Sequence, residues 1–334
     1  MKIAAVETFQ LLWGEPDKGP RSAFVRIVTD DGLFGLGEAS PMKGGVASLV
    51  IIARHMAPAL LGRDALDHAI LLDTLFHKLL GGAWRLSLPC YSSIGNNARR
   101  SVDEVLRVVE RRVEREKPAA VKIRLDGDRT AQDVDIPGDI AKATAVRRLL
   151  GDAFVIGFDA NNGYSVGGAM RVGRALEDLG YAWFEEPVQH YHVAAMGEVA
   201  QRLDITVSAG EQTYTLPGLK DLIGAGVRMV QPDIVKMGGI TGLMGCAALA
   251  HAHGVELVPH QTQPSLGHLA NLHLLSTIMH LGKPVELADN WERAGAVFRN
   301  PSEPVEGRFA VPSAPGLGAE FDEGEMRRRS VPVG

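Results

Sequence analysis

The sequence predicts an α/β protein, a TIM-type (β/α) barrel preceded by a small α+β unit, on three observations. Three short apolar runs each end in a carboxylate: residues 154–158 (FVIGF) before Asp159, 181–184 (YAWF) before Glu185, and 205–210 (ITVSAG) before Glu211. The three acids lie 26 residues apart, about the length of one strand, one helix and two short loops. The period continues from Glu211 to Asp233, His260 and Glu286, and with Lys122 on an earlier strand seven strand ends carry polar groups towards one face.

The elements follow in order. Residues 3–13 are largely apolar, and 23–29 (AFVRIVT) alternate before the turn Asp30-Asp31-Gly32; with 33–38 (LFGLGE) they read as a hairpin. Residues 46–80 read as helical, with Val46, Leu49, Val50, Ala53 and Met56 on one face and 66–80 as a second apolar stretch. From residue 86 the pattern becomes regular. Residues 86–93 (LSLPCYSS) suit a first barrel strand. Ser101-Val102-Asp103-Glu104 is a capping box, opening a helix with Val102, Val105, Leu106, Val109 and Val113 on one side. Residues 119–125 (AAVKIRL) form the next strand, and later helices close at Gly180 and Gly254. The tail, 305–321, is rich in Gly and Pro and is expected to return to the N-terminal unit.

Composition narrows the function. With 334 residues the chain suits a barrel plus an appendage. A net charge of −5 offers no basic face for nucleic acid. No apolar run approaches a membrane-spanning length, and no signal-peptide core opens the chain. Cys90 and Cys246 are too few for a disulfide framework, which suits a reducing compartment, so a cytoplasmic protein is expected.

The polar groups point to chemistry. Three carboxylates in one barrel mouth repel one another and raise each other's pKa unless a cation joins them. An all-oxygen set without Cys or His favours Mg²⁺ over zinc, so Asp159, Glu185 and Glu211 are the candidate metal ligands, with Glu186 competing for the second place. Asn161 shares a face with Asp159 and suits the metal shell, the substrate or plain loop support. Asp233 can fix the tautomer of His260, leaving the other ring nitrogen to exchange protons with substrate. Lys122 can hold a substrate carboxylate or act as a base, whereas Arg124 stays protonated and suits two-pronged anchoring of a carboxylate or hydroxyl. His251, His253, His268, His273 and His280 read as structural or surface residues.

Several motifs in order resemble the enolase superfamily, specifically its mandelate racemase subgroup, over nearly the whole chain. VKIR (121–124) resembles its Lys-x-Lys strand, and DANNGY (159–164), WFEEPV (183–188) and SAGEQ (208–212) its three metal-ligand motifs. VQPDIVKMGGITG (230–242) and VPHQ (258–261) resemble its Asp–His dyad. The resemblance implies an N-terminal capping domain over 1–85, completed by about 303–334, and a modified (β/α) barrel catalytic domain over 86–302. It also implies Mg²⁺, a small-molecule carboxylate substrate and a homo-oligomer. Glu286 matches a family acid that donates to the substrate carboxylate when protonated, with Asp289 and Glu292 as nearby alternatives. The chain departs from the pattern twice. The second lysine of Lys-x-Lys is Arg124, and the 60–82 segment is contracted.

The expected activity is Mg²⁺-dependent removal of the α-proton of a hydroxycarboxylate, giving a metal-stabilised enediolate. A racemase or epimerase needs competent groups on both faces of its substrate, and Arg124 weakens one. An elimination can run on His260 alone, which favours an acid-sugar dehydratase. A Schiff-base aldolase using Lys122 or Lys236, and a non-catalytic carboxylate-binding protein, are the readings from other classes. Specificity would come from cap loops at 13–20 and 41–46.

Overall fold

The computed structural model describes residues 1–12, 21–39, 45–65, 83–261, 265–279, 281–289 and 291–331. The 13–20 loop, residues 41–44, the 66–82 part of the contracted segment and His280 lie outside the described residues.

β1 (Ile3–Leu12), β2 (Arg21–Thr29) and β3 (Phe34–Ala39) form an antiparallel sheet, the hairpin between the last two turning at Asp30–Gly32. Gly32 sits at φ +87°, a left-handed conformation that glycine adopts without a Cβ penalty. α1 (Gly45–Ile51) continues through a π-helical turn over Ile52–Met56 into α2 (Ala57–Leu60), whose Pro58 has no N–H to give the helix ladder.

The second unit alternates strand and helix. It runs β4 (Ser87–Ile94), α3 (Val102–Glu116), β5 (Ala120–Arg124), α4 (Ile136–Leu150), β6 (Val155–Asp159), α5 (Val166–Asp178) and β7 (Trp183–Glu185). It continues through α6 (Val193–Arg202), β8 (Thr206–Ala209), α7 (Leu216–Ala225), β9 (Met229–Val230), α8 (Gly239–Ala252), β10 (Glu256–Leu257), α9 (Leu266–Thr277) and β11 (Val285–Leu287). The eight strands pair in parallel in the order β10-β9-β8-β7-β6-β5-β4-β11. The Ser101–Glu104 capping box forms, the Ser101 amide donating to the Glu104 carboxylate at 2.8 Å. Gly180 and Gly254 follow α5 and α8 at φ +65° and +64°.

Outward strand side chains pack on the helices in one large core that includes Val121, Ile156, Phe158, Phe184 and Val207. Inward, Tyr91, Ala120, Trp183, Met229 and Val258 form an apolar plug. Gly157 makes room for it, since a Cβ there would stand 2.0 Å from the Trp183 ring. The polar layer lies above this plug, towards the carboxyl ends of the strands. Register sets its level: Arg124 pairs with Asp159, and Asp159 with Glu185.

The tail expectation needs correction. β12 (Arg308–Ala310) pairs antiparallel with barrel strand β4, because Phe309 and Val311 bury against Leu88 and Leu287. Only the later segment turns to the N-terminal unit. There Phe321, Met326 of α10 (Glu323–Arg329) and β13 (Ser330–Val331) meet Leu11, Phe24 and β1. Leu266 and Leu269 of α9 join that cluster, so α9 is the barrel element on which the N-terminal sheet sits. His268 and His273 are buried within α9, while His251 and His253 are exposed. Among the described residues no helix is long and apolar enough to cross a membrane.

Candidate active site

Each polar group stands where a strand releases it. Asp159 and Glu185 end β6 and β7, and Glu211 follows β8 by two residues. All three are at least nine-tenths buried. Asp159 Oδ1 accepts from the Asn161 amide at 2.8 Å, while its Oδ2 is buried without a hydrogen-bond partner. Glu185 accepts from Lys122 Nζ at 2.9 and 3.0 Å and from Gln231 Nε2 at 2.7 Å. Lys122 also stands 2.9 Å from Glu286 Oε1 and 3.7 Å from Asp159 Oδ2. Glu286 in turn accepts from the Gln261 amide at 2.8 Å, a bond that spans the two ends of the strand series, β10 and β11.

A second group adjoins the first. His260 Nδ1 lies 2.9 Å from Asp233 Oδ2, and its Nε2 lies 2.9 Å from Glu211 Oε2. A backbone bridge between Asp233 and His260 fixes the level of the pair. Glu211 Oε1 accepts from Gln212 at 2.6 Å, and Lys236 Nζ donates to the Glu211 backbone carbonyl at 2.8 Å.

The electrostatics follow from burial and charge. Burial, and then the charge of Glu185, push the Asp159 carboxyl well above the usual carboxylate range. Burial would raise Glu211 as well, but the adjacent His260 cation holds it well below that range. Burial disfavours the charge on Lys122 and His260. Glu185 with Glu286, and Glu211 with Asp233, overcome it and raise both groups. The buried mouth thus holds an excess of carboxylates around two cations of its own. Among the described residues no three His, Cys, Asp or Glu side chains stand together in ligand geometry, and Lys122 and His260 pair with the oxygens of Glu185 and Glu211. The all-oxygen donor set and the unpartnered Asp159 Oδ2 fit a hard divalent cation.

The remaining sequence candidates lie around this inner set. Arg124 stands 2.8 Å from Asp126 and 3.3 Å from Asp289, two carboxylates that neutralise it. Asp289 also binds Arg112 at 2.7 Å, so it belongs to this rim network and not to the inner layer with Glu286. Glu292 pairs with Arg115 at 2.6 Å. Asn161, at φ +51°, accepts from Arg129 Nε and Nη2 at 3.0 and 2.8 Å. Glu186 turns to Asn162 Nδ2 at 2.5 Å, with its other oxygen buried and unpartnered. Sequence reasoning passed over Gln231, although it lies two residues before Asp233 in the strand-end motif, a spacing that aims both to one face. It also passed over Arg129 and Gln189, which lie in loops where no periodicity signals them.

Residues 104–325 match the family model described as enolase C-terminal domain-like, and residues 18–85 match the mandelate racemase/muconate lactonizing enzyme N-terminal domain. A mandelate racemase/muconate lactonizing protein from Paracoccus denitrificans, solved complexed with magnesium, is 64% identical with a TM-score of 0.95, covering 100% of both chains. D-galactarolactone cycloisomerase from Agrobacterium fabrum is 31% identical over 76% of this chain and 68% of its own. L-talarate/galactarate dehydratase from Salmonella typhimurium is 27% identical over 91% of this chain and 80% of its own. With its catalytic-face carboxylates on successive barrel strands and both family models matched, the chain belongs to the mandelate racemase/muconate lactonizing enzyme group of the enolase superfamily.

Proposed function

We propose that this chain is a Mg²⁺-dependent enzyme that removes the α-proton of a hydroxycarboxylate and eliminates its β-hydroxyl, an acid-sugar dehydratase. The observation that carries the reading is the asymmetry of acid–base groups. One side of the mouth holds the His260–Asp233 pair. On the other, the place of a second lysine is taken by Arg124, bound to Asp126 and Asp289. Asp159, Glu185 and Glu211 would hold Mg²⁺, which matches the magnesium in the Paracoccus relative. Bound there, the ion would offset the charge that develops on the substrate carboxylate as the α-proton leaves.

The protein's own groups supply the rest. Lys122 and Glu286 lie 2.9 Å apart and would flank the substrate carboxylate, Lys122 as donor. Asp233 fixes the Nδ1 side of His260. Once Glu211 no longer engages Nε2, that nitrogen can release its proton to solvent, and the neutral ring would then take the α-proton. The C–H electron pair forms the C2–C3 double bond, the C3–O bond breaks, and the imidazolium returns its proton to the departing hydroxyl as water. The enol then becomes a 2-keto-3-deoxy acid. Arg124 would steady the substrate end of the β5 rim. Asn161, its carbonyl oxygen held by Arg129, would offer its amide nitrogen to the metal shell or the substrate. The division into a cap, 1–85 with about 303–334, and a barrel, 86–302, belongs to the same proposal, with β12 reassigned to the barrel side.

Lys122 as a Schiff-base nucleophile is disfavoured, because an amine held charged by two carboxylates has no free lone pair. A racemase is the second reading, in which Lys122, on a strand remote from β10, would serve the opposite face of the substrate as the proton donor. An acid-sugar screen with Mg²⁺, reading 2-keto-3-deoxy product and deuterium incorporation from D₂O, tests the choice. Elimination with label in one configuration is expected. Exchange from both enantiomers of a 2-hydroxy acid without elimination would make the racemase the answer. His260→Asn should lower turnover by at least about 10²-fold while Mg²⁺ still binds. A variant that keeps most of its kcat would move the proton acceptor elsewhere.

A further inference from the structure

The geometry points to Arg129 as the recognition group for a second anionic end of the substrate, which makes the preferred substrate an acid sugar with a carboxylate at each end. This rests on the reading of the site as one for hydroxycarboxylates.

Arg129 lies in the loop between β5 and α4, on the catalytic face, with 42% of its side chain exposed. Its backbone is anchored from inside, because buried Gln189 donates to the Arg129 carbonyl at 3.1 Å and to the Asn162 carbonyl at 3.1 Å. The side chain reaches back over the mouth. Nε and Nη2 converge on one neutral acceptor, the Asn161 Oδ1. The nearest carboxylate oxygen, on Glu211, stands 3.8 Å away, beyond hydrogen-bond contact, and already accepts from Gln212 at 2.6 Å. A guanidinium carries five N–H donors. Among the described residues, the side-chain hydrogen bonds of Arg129 all run to this one neutral oxygen, and its half-exposed charge stands beside the mouth.

Arg124 gives the contrast, being matched by two carboxylates of its own chain. If Lys122 and Glu286 take the inner carboxylate, an open-chain acid sugar extends outward past Asn161 towards Arg129. A second carboxylate brought to this mouth would otherwise meet Asp159, Glu186 and Glu211, all buried and acidic. A planar two-pronged cation at the rim turns that repulsion into selection.

Calorimetry on the Mg²⁺-loaded chain with galactarate and with galactonate, a six-carbon pair differing in one terminal carboxylate, tests this. Wild type should bind the diacid at least about tenfold more tightly than the monoacid. Arg129→Ala should erase that preference, weakening galactarate at least about tenfold more than galactonate, and Arg129→Lys should retain part of it. Equal weakening of both acids in Arg129→Ala, or no diacid preference in wild type, would overturn the inference while leaving the hydroxycarboxylate reading intact. Absence of binding and of α-proton exchange with both acids would overturn the two together. A thermal melt of Arg129→Ala within about 1 °C of wild type excludes loss of the loop as the cause.

Discussion

Glu38 ties the N-terminal sheet to the barrel beside the His260 pair, and its titration should be visible in stability. It lies in β3, with Oε2 accepting from Ser265 Oγ and, at 3.1 Å, from the Gly267 amide in the first turn of α9. Oε1 is buried without a partner. Burial outweighs the two hydrogen bonds and, with the nearby charge of Asp233, pushes the carboxyl from 4.5 up to about 7. In the folded chain the proton is therefore held after the unfolded chain has released it. Stability from this group is fully present below pH 4.5 and is lost as pH rises through about 7. The span of the shift corresponds to about 3 kcal/mol. Glu38→Gln keeps an acceptor for Ser265 and Gly267 and cannot ionise. Relative to wild type, the variant should gain about 3 kcal/mol between pH 5 and pH 8, or about 4 °C in Tm for a chain of this size. Urea melts of both proteins at several pH values give the difference directly, and titrations elsewhere cancel in it. Parallel pH profiles for the two proteins would refute the reasoning.

Two further changes test the inner layer and the rim. Gln231→Leu removes the 2.7 Å donor to Glu185, and Mg²⁺ affinity measured by calorimetry should fall by about 10- to 100-fold, the usual effect of losing a partner that orients a ligand. Arg124→Lys leaves one ammonium to serve Asp126 and Asp289, so Tm should drop slightly. The α-carbon should still exchange in one configuration only in D₂O; new exchange from the opposite face would mean that arginine stands where a base once acted.

Much of the site was legible because apolar strands end abruptly in charge. FVIGF before Asp159 and YAWF before Glu185 show both the strand and the level at which it leaves the barrel. β9 and β10 were legible only from spacing, since each keeps two ladder residues before polar chemistry begins. What stayed hidden depends on contacts remote in sequence. Glu38 reads as an ordinary strand residue, and nothing local says that its carboxylate meets Gly267, 229 residues away. Residues 308–310 read as part of a Gly- and Pro-rich tail, yet Phe309 fills a pocket beside Leu88 that exists only once β11 and α9 pack next to β4. Arg124 was legible as a cation that never loses its proton. The two acids that occupy it come from a loop two residues on and from another 165 residues away.

The charge balance of the mouth supplies the last test, because Lys122 serves two roles that can be separated. Its ammonium lies within 4 Å of Glu185, Glu286 and Asp159, so in the folded chain it acts as the counter-ion of the inner carboxylates. Removing one partner of a buried pair leaves uncompensated charge and costs about 3–5 kcal/mol. Lys122→Met preserves the length and the apolar stem of the side chain while deleting the charge, so Tm without divalent ions should fall by about 4–7 °C. Mg²⁺ placed among the same oxygens would replace the lost charge. The rise in Tm on adding Mg²⁺ should therefore be larger for Lys122→Met than for wild type, even though on the proposed mechanism the variant should turn over poorly. Ca²⁺ should reproduce the stabilisation without activity, because stability needs only the charge and catalysis needs the geometry. If Mg²⁺ raises the two melting temperatures equally, Lys122 and the metal do not answer to the same carboxylates, and the ligand set would have to be sought beyond Asp159 and Glu185.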